Sequence, residues 1–382
     1  MSSLKILVIN LMHIGDLLLV TPVLRTLRTN YPQAHIALLA DAKLSDLVKY
    51  NQNIDELIAI DKKGYHNKLG NYIHFIAEIR QRRFNLVINL HANERASFIA
   101  AFSGAGRIIG YSSWGLGKMF QYCIKNRKAV KHQIHSHFDV LKEGLGITRI
   151  DDRGIEMWLD EAAEKSADEI WSQSFPPNPS SSCPSRLRGS NQSDNSNPPV
   201  IGLNIGASWP TKRWLKEYYA ELADRLLEKN LGVAYFGGPM DEELVQQTIA
   251  LMRHKDHPLL RIFTGRLTLL ELAALLKKCA VFVTNDSGPM HIAVAMDVPL
   301  VTMFGASPVP GFYPYNNKSI LIKTPAECHP CGVHTCEHLK CMKQIPVDIV
   351  LQHTLKLLER YGNQVGHVPR DPGQYQCQII EL

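Results

Sequence analysis

The sequence predicts an α/β fold made of two doubly wound domains that face each other across a cleft. Short apolar strands alternate with helical segments in two blocks, residues 5–110 and 200–304, and this alternation is typical of βαβ units with a parallel sheet. A stretch rich in Pro, Ser and Asn, residues 175–199, separates the two blocks. The chain has 382 residues, 45% of them apolar and 20% charged, which is enough for two hydrophobic cores.

The first block begins with a strand that passes into a helix. Lys5–Asn10, KILVIN, has the composition of a buried parallel strand, and residues 16–30 carry apolar side chains at helical spacing, which Pro22 interrupts. Asp16 lies at this junction between strand and helix. The other elements predicted here are strands at residues 35–40, 56–60 and 85–90 and a helix around 73–82.

The amino-terminal segment also bears on where the protein resides. Asp16 interrupts the apolar run, which leaves no core of a signal peptide. No stretch reaches the roughly 18 uncharged apolar residues that a membrane-spanning helix requires. We therefore expect a cytoplasmic protein.

The second block repeats the pattern of the first. Its predicted strands are residues 200–204, 233–236, 281–284 and 300–304, and its predicted helices lie near 215–229, 241–253 and 268–278. Residues 175–199 are predicted to form a disordered linker or loop insertion, because their composition buries too little apolar surface to offset the entropy of ordering. Ligands of doubly wound sheets bind beyond the carboxyl ends of the strands, so a site is expected in the loops there.

The charge of the chain is mildly basic, with a net charge of +6 and a pI near 8.8. This balance suits an anionic substrate, an anionic membrane surface or nucleic acid. No basic stripe interleaved with aromatic residues is present, so a nucleic-acid partner is not expected. Local basic clusters, interpreted as solvated helix faces, occur at Arg25 and Arg28 and at Arg80, Arg82 and Arg83.

Three turns of the second block carry candidate phosphate and sugar ligands. In TNDSGPMH, Ser287 and Gly288 open a helix whose first N–H groups favour phosphate. In GASWPTKRW, Lys212 precedes an amphipathic helix and can place a positive charge on a diphosphate. In YFGGPMDEE, Asp241 or Glu242 could accept hydrogen bonds from ribose hydroxyls.

Each of these residues has a simpler interpretation that the sequence leaves open. Asp286 and Ser287 could only cap a helix, and His291 could be a core histidine. Lys212 could be a solvated surface lysine, and Asp16 could be a helix N-cap.

Taken together, the motifs resemble those of the ADP-heptose:lipopolysaccharide heptosyltransferases of glycosyltransferase family nine. The resemblance rests on HIGD after the first strand, GASWPTKRW, YFGGPMDEE, and TNDSGPMHIAVA followed by PLVTMFG, in this order over most of residues 4–357. It implies the GT-B fold, with two Rossmann-like domains. It also implies inverting, metal-independent transfer of heptose from an ADP-heptose donor to a lipopolysaccharide inner-core acceptor, with no required cofactor and with peripheral association at the inner face of the cytoplasmic membrane.

The resemblance also implies roles for particular residues. Asp16 would be the catalytic base, and Lys212 would assist catalysis by opposing the charge of the leaving diphosphate. The implied donor ligands are Ser208 and Lys212 for the diphosphate, Asp241 or Glu242 for the ribose, Asp286 for the heptose, and Ser287, Gly288 and His291 around the phosphates. Acceptor loops are expected in the first domain, for example LHANERASF at residues 90–98.

The predicted division of the chain has four parts. An acceptor-side domain covers residues 1–174 and a flexible linker residues 175–199. The ADP-sugar domain covers residues 200–346 and a carboxyl-terminal helix and tail residues 347–382, with an amphipathic helix at 347–361. In GT-B enzymes such a helix often crosses back to the first domain.

A cysteine cluster follows the last motif, in ECHPCGVHTCEHLKC. Cys328, Cys331, Cys336 and Cys341 could surround one structural zinc or iron ion, or they could be free thiols. Protein-modifying members of the family resemble the chain here and are iron-binding, so a protein or another glycan is the alternative acceptor. A non-catalytic nucleotide- or metal-binding protein is the remaining alternative.

Overall fold

Two parallel β-sheets, each flanked by helices, make up the protein. The computed structural model describes residues 4–113, 115–124, 130–176, 198–362 and 376–382. With the strands numbered in chain order, the first sheet has the order β3 (Glu56–Ile60), β2 (His35–Asp41), β1 (Lys5–Ile9), β4 (Leu86–Asn89), β5 (Arg107–Gly110) and β6 (Tyr122–Cys123). The second has the order β13 (Gln378–Glu381), β12 (Ser319–Lys323), β11 (Leu300–Phe304), β10 (Val281–Asn285), β7 (Val200–Asn204), β8 (Gly232–Phe236) and β9 (Leu260–Ile262). All strand pairs in both sheets are parallel, which confirms the predicted doubly wound α/β class.

The first half contains six strands and six α-helices among the described residues. The strands are β1 Lys5–Ile9, β2 His35–Asp41, β3 Glu56–Ile60, β4 Leu86–Asn89, β5 Arg107–Gly110 and β6 Tyr122–Cys123. The helices are α1 Ile14–Leu18, α2 Thr21–Asn30, α3 Leu69–Gln81, α4 Glu94–Phe102, α5 Gln133–Leu145 and α6 Glu161–Ser174. The predicted acceptor loop at residues 90–98 is therefore loop only up to Asn93, which caps α4 with its side chain.

The second half contains seven strands and seven α-helices among the described residues. The strands are β7 Val200–Asn204, β8 Gly232–Phe236, β9 Leu260–Ile262, β10 Val281–Asn285, β11 Leu300–Phe304, β12 Ser319–Lys323 and β13 Gln378–Glu381. The helices are α7 Lys216–Leu227, α8 Glu242–Leu251, α9 Leu269–Leu276, α10 Gly288–Ala295, α11 Val309–Phe312, α12 Lys340–Lys343 and α13 Val347–Tyr361.

The strands nearest the centre of each sheet are buried along almost their whole length. β1 exposes only Lys5, and β7 and β10 are buried throughout. Such runs are expected where helices cover both faces of a parallel sheet. Pro22 divides the predicted helix at residues 16–30 into α1 and α2, and it stands in the first turn of α2, where a missing N–H costs no hydrogen bond.

Several further side chains join the two halves. The Tyr315 hydroxyl donates to Asp152 Oδ2 over 2.6 Å, and His132 Nε2 lies 3.1 Å from the Tyr313 carbonyl oxygen. α6 packs on α9, where Ser166 donates a 2.7 Å hydrogen bond to Glu271. The boundary at residue 174 stays a prediction.

Some expectations about particular segments were wrong. Arg25 is 5% exposed and pairs with Asp151 at 3.0 Å and Glu156 at 2.8 Å, so it anchors α2 and is not part of a solvated face. α13 packs on the second sheet and on α7 instead of crossing to the first half. The tail contributes the edge strand β13, which the sequence did not indicate.

Two further expectations concern a linker and the membrane. Residues 177–197, which make up most of the predicted linker, lie outside the described residues. Within the described ranges, none of the helices is both long enough and apolar enough to cross a membrane.

Candidate active site

Helices α1 and α10, one from each half, touch at the cleft. A Cβ atom on Gly15 would lie 2.4 Å from His291 Cδ2, and one on Gly288 would lie 3.0 Å from Ile14 Cβ. Only glycine allows backbone and side chain to approach this closely. The amino-terminal HIGD motif and the TNDSGPMH motif, which begin 271 positions apart in the chain, therefore meet in space.

Asp16 lies in the first turn of α1, immediately after the glycine that contacts His291. The residue is half-buried, and its carbonyl oxygen accepts a 3.4 Å hydrogen bond from Asn10 Nδ2. His13 occupies the N-cap position of α1, so the interpretation of Asp16 as the N-cap is wrong. A carboxylate in this position is still favoured by the helix dipole.

Lys212 forms an ion pair with Asp286 beside this contact. Lys212 Nζ lies 2.7 Å from Asp286 Oδ2, with the two side chains 17% and 7% exposed. The Ser307 hydroxyl donates to the same carboxylate oxygen, and the ammonium stands 4.6 Å from the centre of the Trp209 ring. The interpretation of Lys212 as a solvated surface lysine is therefore wrong.

The start of α10 has no side-chain cap. Ser287 occupies the N-cap position, but its hydroxyl lies 3.1 Å from Thr284 Oγ1 and accepts a 3.1 Å hydrogen bond from Asn204 Nδ2. The neighbouring Asp286 carboxylate binds Lys212 and Ser307 instead of the helix. Neither residue caps α10 with its side chain, which leaves the helix start suited to an anion.

His291 is a neutral, buried histidine in the first turn of α10. Its pKa is lowered to about 4, with burial as the main cause, Asp286 opposing the shift and Lys212 adding to it. Nδ1 is buried and has no hydrogen-bond partner among the described residues. The imidazole therefore offers a neutral ring, without a positive charge, at pH 7.

The two carboxylates of the YFGGPMDEE turn have different surroundings. Asp241 is buried, and its Oδ2 accepts a 2.9 Å hydrogen bond from the Gly238 backbone N–H. A Cβ on Gly206 would lie 2.3 Å from Asp241 Oδ1, so this carboxylate fills the space between the ends of β7 and β8. Glu242 is exposed, and so is Ser208, and both are accessible to a ligand.

Three polar residues that support the site were missed in the sequence. Asn204 ends β7 and holds Ser287, and Ser307 follows β11 and holds Asp286. Asn285 ends β10, where its side chain accepts a 2.9 Å hydrogen bond from Trp214 N and donates one of 2.9 Å to the Ile205 carbonyl oxygen. The signal that could have identified them is a polar residue at, or just after, the carboxyl end of an otherwise apolar strand.

The cysteine cluster does not form a metal site in this structure. Cys341 is buried on α12, whereas Cys328 and Cys331 are exposed. Nowhere in the described part of the chain do three His, Cys, Asp or Glu side chains stand where they could hold a metal ion. The predicted structural zinc or iron at these four cysteines is therefore not supported.

The loop that carries these cysteines packs instead on the turn that bears Lys212. The His334 and Trp209 rings stack with their centres 3.9 Å apart. The Thr211 hydroxyl donates a 2.6 Å hydrogen bond to the Val333 carbonyl oxygen. The loop thereby orients Trp209, the ring on which the Lys212 ammonium rests.

Comparisons of the sequence with known proteins find heptosyltransferases. The profile of Glycosyltransferase family 9 (heptosyltransferase) matches residues 72–342. Lipopolysaccharide heptosyltransferase 2 of Salmonella typhimurium is 26% identical over 95% of this chain and 99% of that protein. Lipopolysaccharide heptosyltransferase 3 of Escherichia coli is 25% identical over 80% of this chain and 85% of that protein.

Solved structures of glycosyltransferases superpose on almost the whole chain. A glycosyl transferase family 9 protein from Veillonella parvula superposes with a TM-score of 0.80 at 31% identity, over 94% of this chain and 98% of that one. The ADP-heptose lipopolysaccharide heptosyltransferase II of E. coli superposes with a TM-score of 0.73 at 22% identity, over 94% and 99% of the two chains. At 22% identity, the second superposition supports a shared fold only.

Proposed function

We propose that this chain, which belongs to glycosyltransferase family 9 and is a glycosyltransferase with the GT-B fold, transfers heptose from ADP-heptose to the inner core of a lipopolysaccharide. The donor and acceptor come from relatives named for lipopolysaccharide heptosyl transfer, whose sequences align with this chain almost end to end.

The contact between α1 and α10 is the observation that carries the proposal. It places the first turn of α1, which carries the half-buried Asp16, beside the start of α10, which has no side-chain cap. The Lys212–Asp286 pair lies at the same edge of the second sheet. A base for the acceptor and an anion-binding group for the donor are the two elements that displacement of a nucleoside diphosphate requires.

The donor is proposed to lie along the carboxyl edge of the second sheet. Its diphosphate would accept hydrogen bonds from the first N–H groups of α10, with Ser208 and the Lys212 ammonium around it. Glu242 is the proposed ribose ligand, since Asp241 is engaged with the backbone of its own turn. Asp286 would face the heptose while it holds Lys212, and neutral His291 would pack beside the phosphates.

The proposed reaction is a single displacement. Asp16 takes the proton of the acceptor hydroxyl, whose oxygen attacks the anomeric carbon on the face opposite ADP. The bond from that carbon to the diphosphate oxygen breaks, the electron pair leaves with ADP, and the configuration inverts. Lys212 and the N–H groups of α10 stabilise the growing charge on the diphosphate, the task that a divalent cation performs in other transferases.

The test is donor turnover that depends on the acceptor. The purified protein is incubated with ADP-heptose and a heptose-deficient lipopolysaccharide core, with and without EDTA, and ADP release and the anomeric configuration of the product are measured. Acceptor-dependent release that resists EDTA, with an inverted product, is expected. Release only with a protein or another glycan would overturn the proposed acceptor, and no release with any acceptor would favour a non-catalytic binding protein.

A further inference from the structure

The ring of Trp209 is a neighbour of Lys212 that the proposed reaction does not yet use. Trp209 precedes the short 3₁₀-helix Pro210–Lys212, and the Lys212 backbone N–H donates a 3.0 Å hydrogen bond to the Trp209 carbonyl oxygen. Side chains three residues apart in such a helix lie one above the other. The Lys212 Nζ atom is consequently 4.6 Å from the centre of the indole ring, within the range of a cation–π contact.

The two partners of this ammonium act on it differently. The Asp286 carboxylate, with Oδ2 2.7 Å from Nζ, offsets much of its charge. The indole ring attracts a cation through its quadrupole and carries no net charge. Trp209 can therefore fix the place of the Lys212 ammonium and still leave its charge to act on a diphosphate.

The Trp209 ring is in turn held by the loop that follows β12. We call residues 332–334 of this loop the strap. The His334 ring stacks on the Trp209 ring with centres 3.9 Å apart and an angle of 28° between the planes. The Val333 carbonyl oxygen accepts a 2.6 Å hydrogen bond from the Thr211 hydroxyl. Two consecutive residues of the strap therefore contact the turn that carries Lys212.

The strap also touches the loop that holds Asp286. The Gly332 N–H donates a 2.9 Å hydrogen bond to the Ala306 carbonyl oxygen. The next residue, Ser307, donates through its hydroxyl to the Asp286 carboxylate. Gly332 has a φ of +63°, which favours glycine at this point. Three consecutive residues thus contact both the turn that carries the cation and the loop that holds its anion.

The strap itself lies on the surface. Its three residues are exposed, and none of them belongs to a hydrophobic core in the described part of the chain. Its contacts therefore bury little apolar surface and contribute little to the stability of the second half. What they restrict is the position of the Trp209 ring and of the loop beside Asp286.

We propose that Trp209, held by His334, is a positioning residue for the Lys212 ammonium during transfer. The inference rests on the proposed function, in which Lys212 acts on the leaving diphosphate. The ring keeps the flexible lysine side chain where the diphosphate binds, so little ordering of that side chain remains to be done in the transition state.

The experiment measures kcat, the KM for ADP-heptose and ADP affinity in variants of the full chain. Trp209→Leu should lower kcat roughly ten-fold, which is within the cation–π range, and Trp209→Tyr, which keeps an aromatic ring, should recover most of it. The KM should change less than kcat, because the ammonium matters most as charge grows on the diphosphate. His334→Ala should lower kcat by a smaller factor and His334→Phe should restore it, since a phenyl ring can stack on indole.

A control in the same loop and a double-mutant cycle isolate the positioning role. His338→Ala removes an exposed histidine beside Cys336 and should behave like the parent. If Trp209 acts only through the ammonium, Trp209→Leu should lower kcat no further once Lys212 is replaced by Ala. A merely structural tryptophan would cost the same factor with or without the lysine, so additive losses would overturn the inference. A parent-like kcat in Trp209→Leu or in His334→Ala would overturn it as well.

The ADP affinities separate this inference from the proposed function, because ADP binding needs no acceptor. A parent that binds ADP but transfers no heptose overturns the proposed function. The cycle of Trp209→Leu and Lys212→Ala is then decided on ADP affinity, where weaker binding only in the presence of Lys212 supports the inference and additive losses overturn it. A parent that does not bind ADP overturns both.

Discussion

Replacing Lys212 by Ala should destabilise the second half of the protein as well as slow turnover. The ammonium is the cationic partner of Asp286, a carboxylate that is only 7% exposed. Breaking a buried pair typically costs about 3–5 kcal/mol, because it leaves one charge uncompensated. The Ser307 hydroxyl and the 17% exposure of Lys212 soften this loss, so we expect about 2–3 kcal/mol.

Thermal melting and steady-state kinetics measure the two effects separately. For a unit of 150–250 residues, about 2–4 °C is lost per kcal/mol, which predicts a fall in melting temperature of roughly 5–10 °C. Turnover should fall by roughly 10²–10³-fold, the usual effect of removing one group that stabilises developing negative charge. Lys277→Ala breaks an exposed pair with Glu164 and should change the stability by less than about 1 kcal/mol.

The double variant Lys212→Ala/Asp286→Asn tests whether the loss of stability comes from the unpaired Asp286 carboxylate. Without a carboxylate, no charge is left buried, so most of the melting temperature should return while turnover stays low. If the single variant melts like the parent, the pair does not stabilise the protein. If the double variant recovers turnover as well, Lys212 does not act on the leaving group.

Three other predictions test the remaining site residues. Asp16→Asn should leave folding and ADP binding nearly unchanged but lower turnover by roughly 10²–10⁴-fold, and an active variant would refute the role of Asp16 as base. Glu242→Gln should weaken ADP binding with no change in melting temperature, whereas Asp241→Asn should lower the melting temperature; the reverse pattern would exchange their roles. Because burial lowers the pKa of His291 to about 4, the unfolded chain binds an extra proton there between about pH 6.5 and 4, so stability should fall as the pH falls through this window. Urea unfolding at several pH values gives the free energy of unfolding as a function of pH. In His291→Gln this free energy should depend less steeply on pH within the window, by the equivalent of about one proton. An unchanged pH dependence would contradict a neutral, buried imidazole.

The order of elements could be predicted because local patterns determine it. Apolar runs such as KILVIN are recognisable as buried strands, and Pro22 indicates a helix break without any knowledge of the fold. β13 could not be predicted in this way. Its four residues, QIIE, show no alternation, and the strand forms only because the edge of β12 is available to pair with it.

The site was predicted less completely than the fold, because its main contacts join distant residues. TNDSGPMH and Lys212 were recognised as motifs, but nothing in the sequence indicates that Lys212 pairs with Asp286, 74 positions away. The turn YFGGPMDEE left Asp241 and Glu242 as equal candidates. Only the fold separates them, since one carboxylate points into the backbone of the turn and the other is exposed.

The contact of Gly15 with His291 acts as a mechanical stop for closure of the cleft. Only the His291 ring lies between the Gly15 backbone and α10, so the halves cannot come closer at this point unless that ring moves. A methyl group at Gly15 would hold them apart by about the length of one carbon–carbon bond, roughly 1.5 Å. Since a misplacement of about 1 Å can cost a factor of 10² in rate, we expect the lack of a side chain at Gly15 to set the working distance between Asp16, the proposed base, and the phosphates that we propose bind the other half.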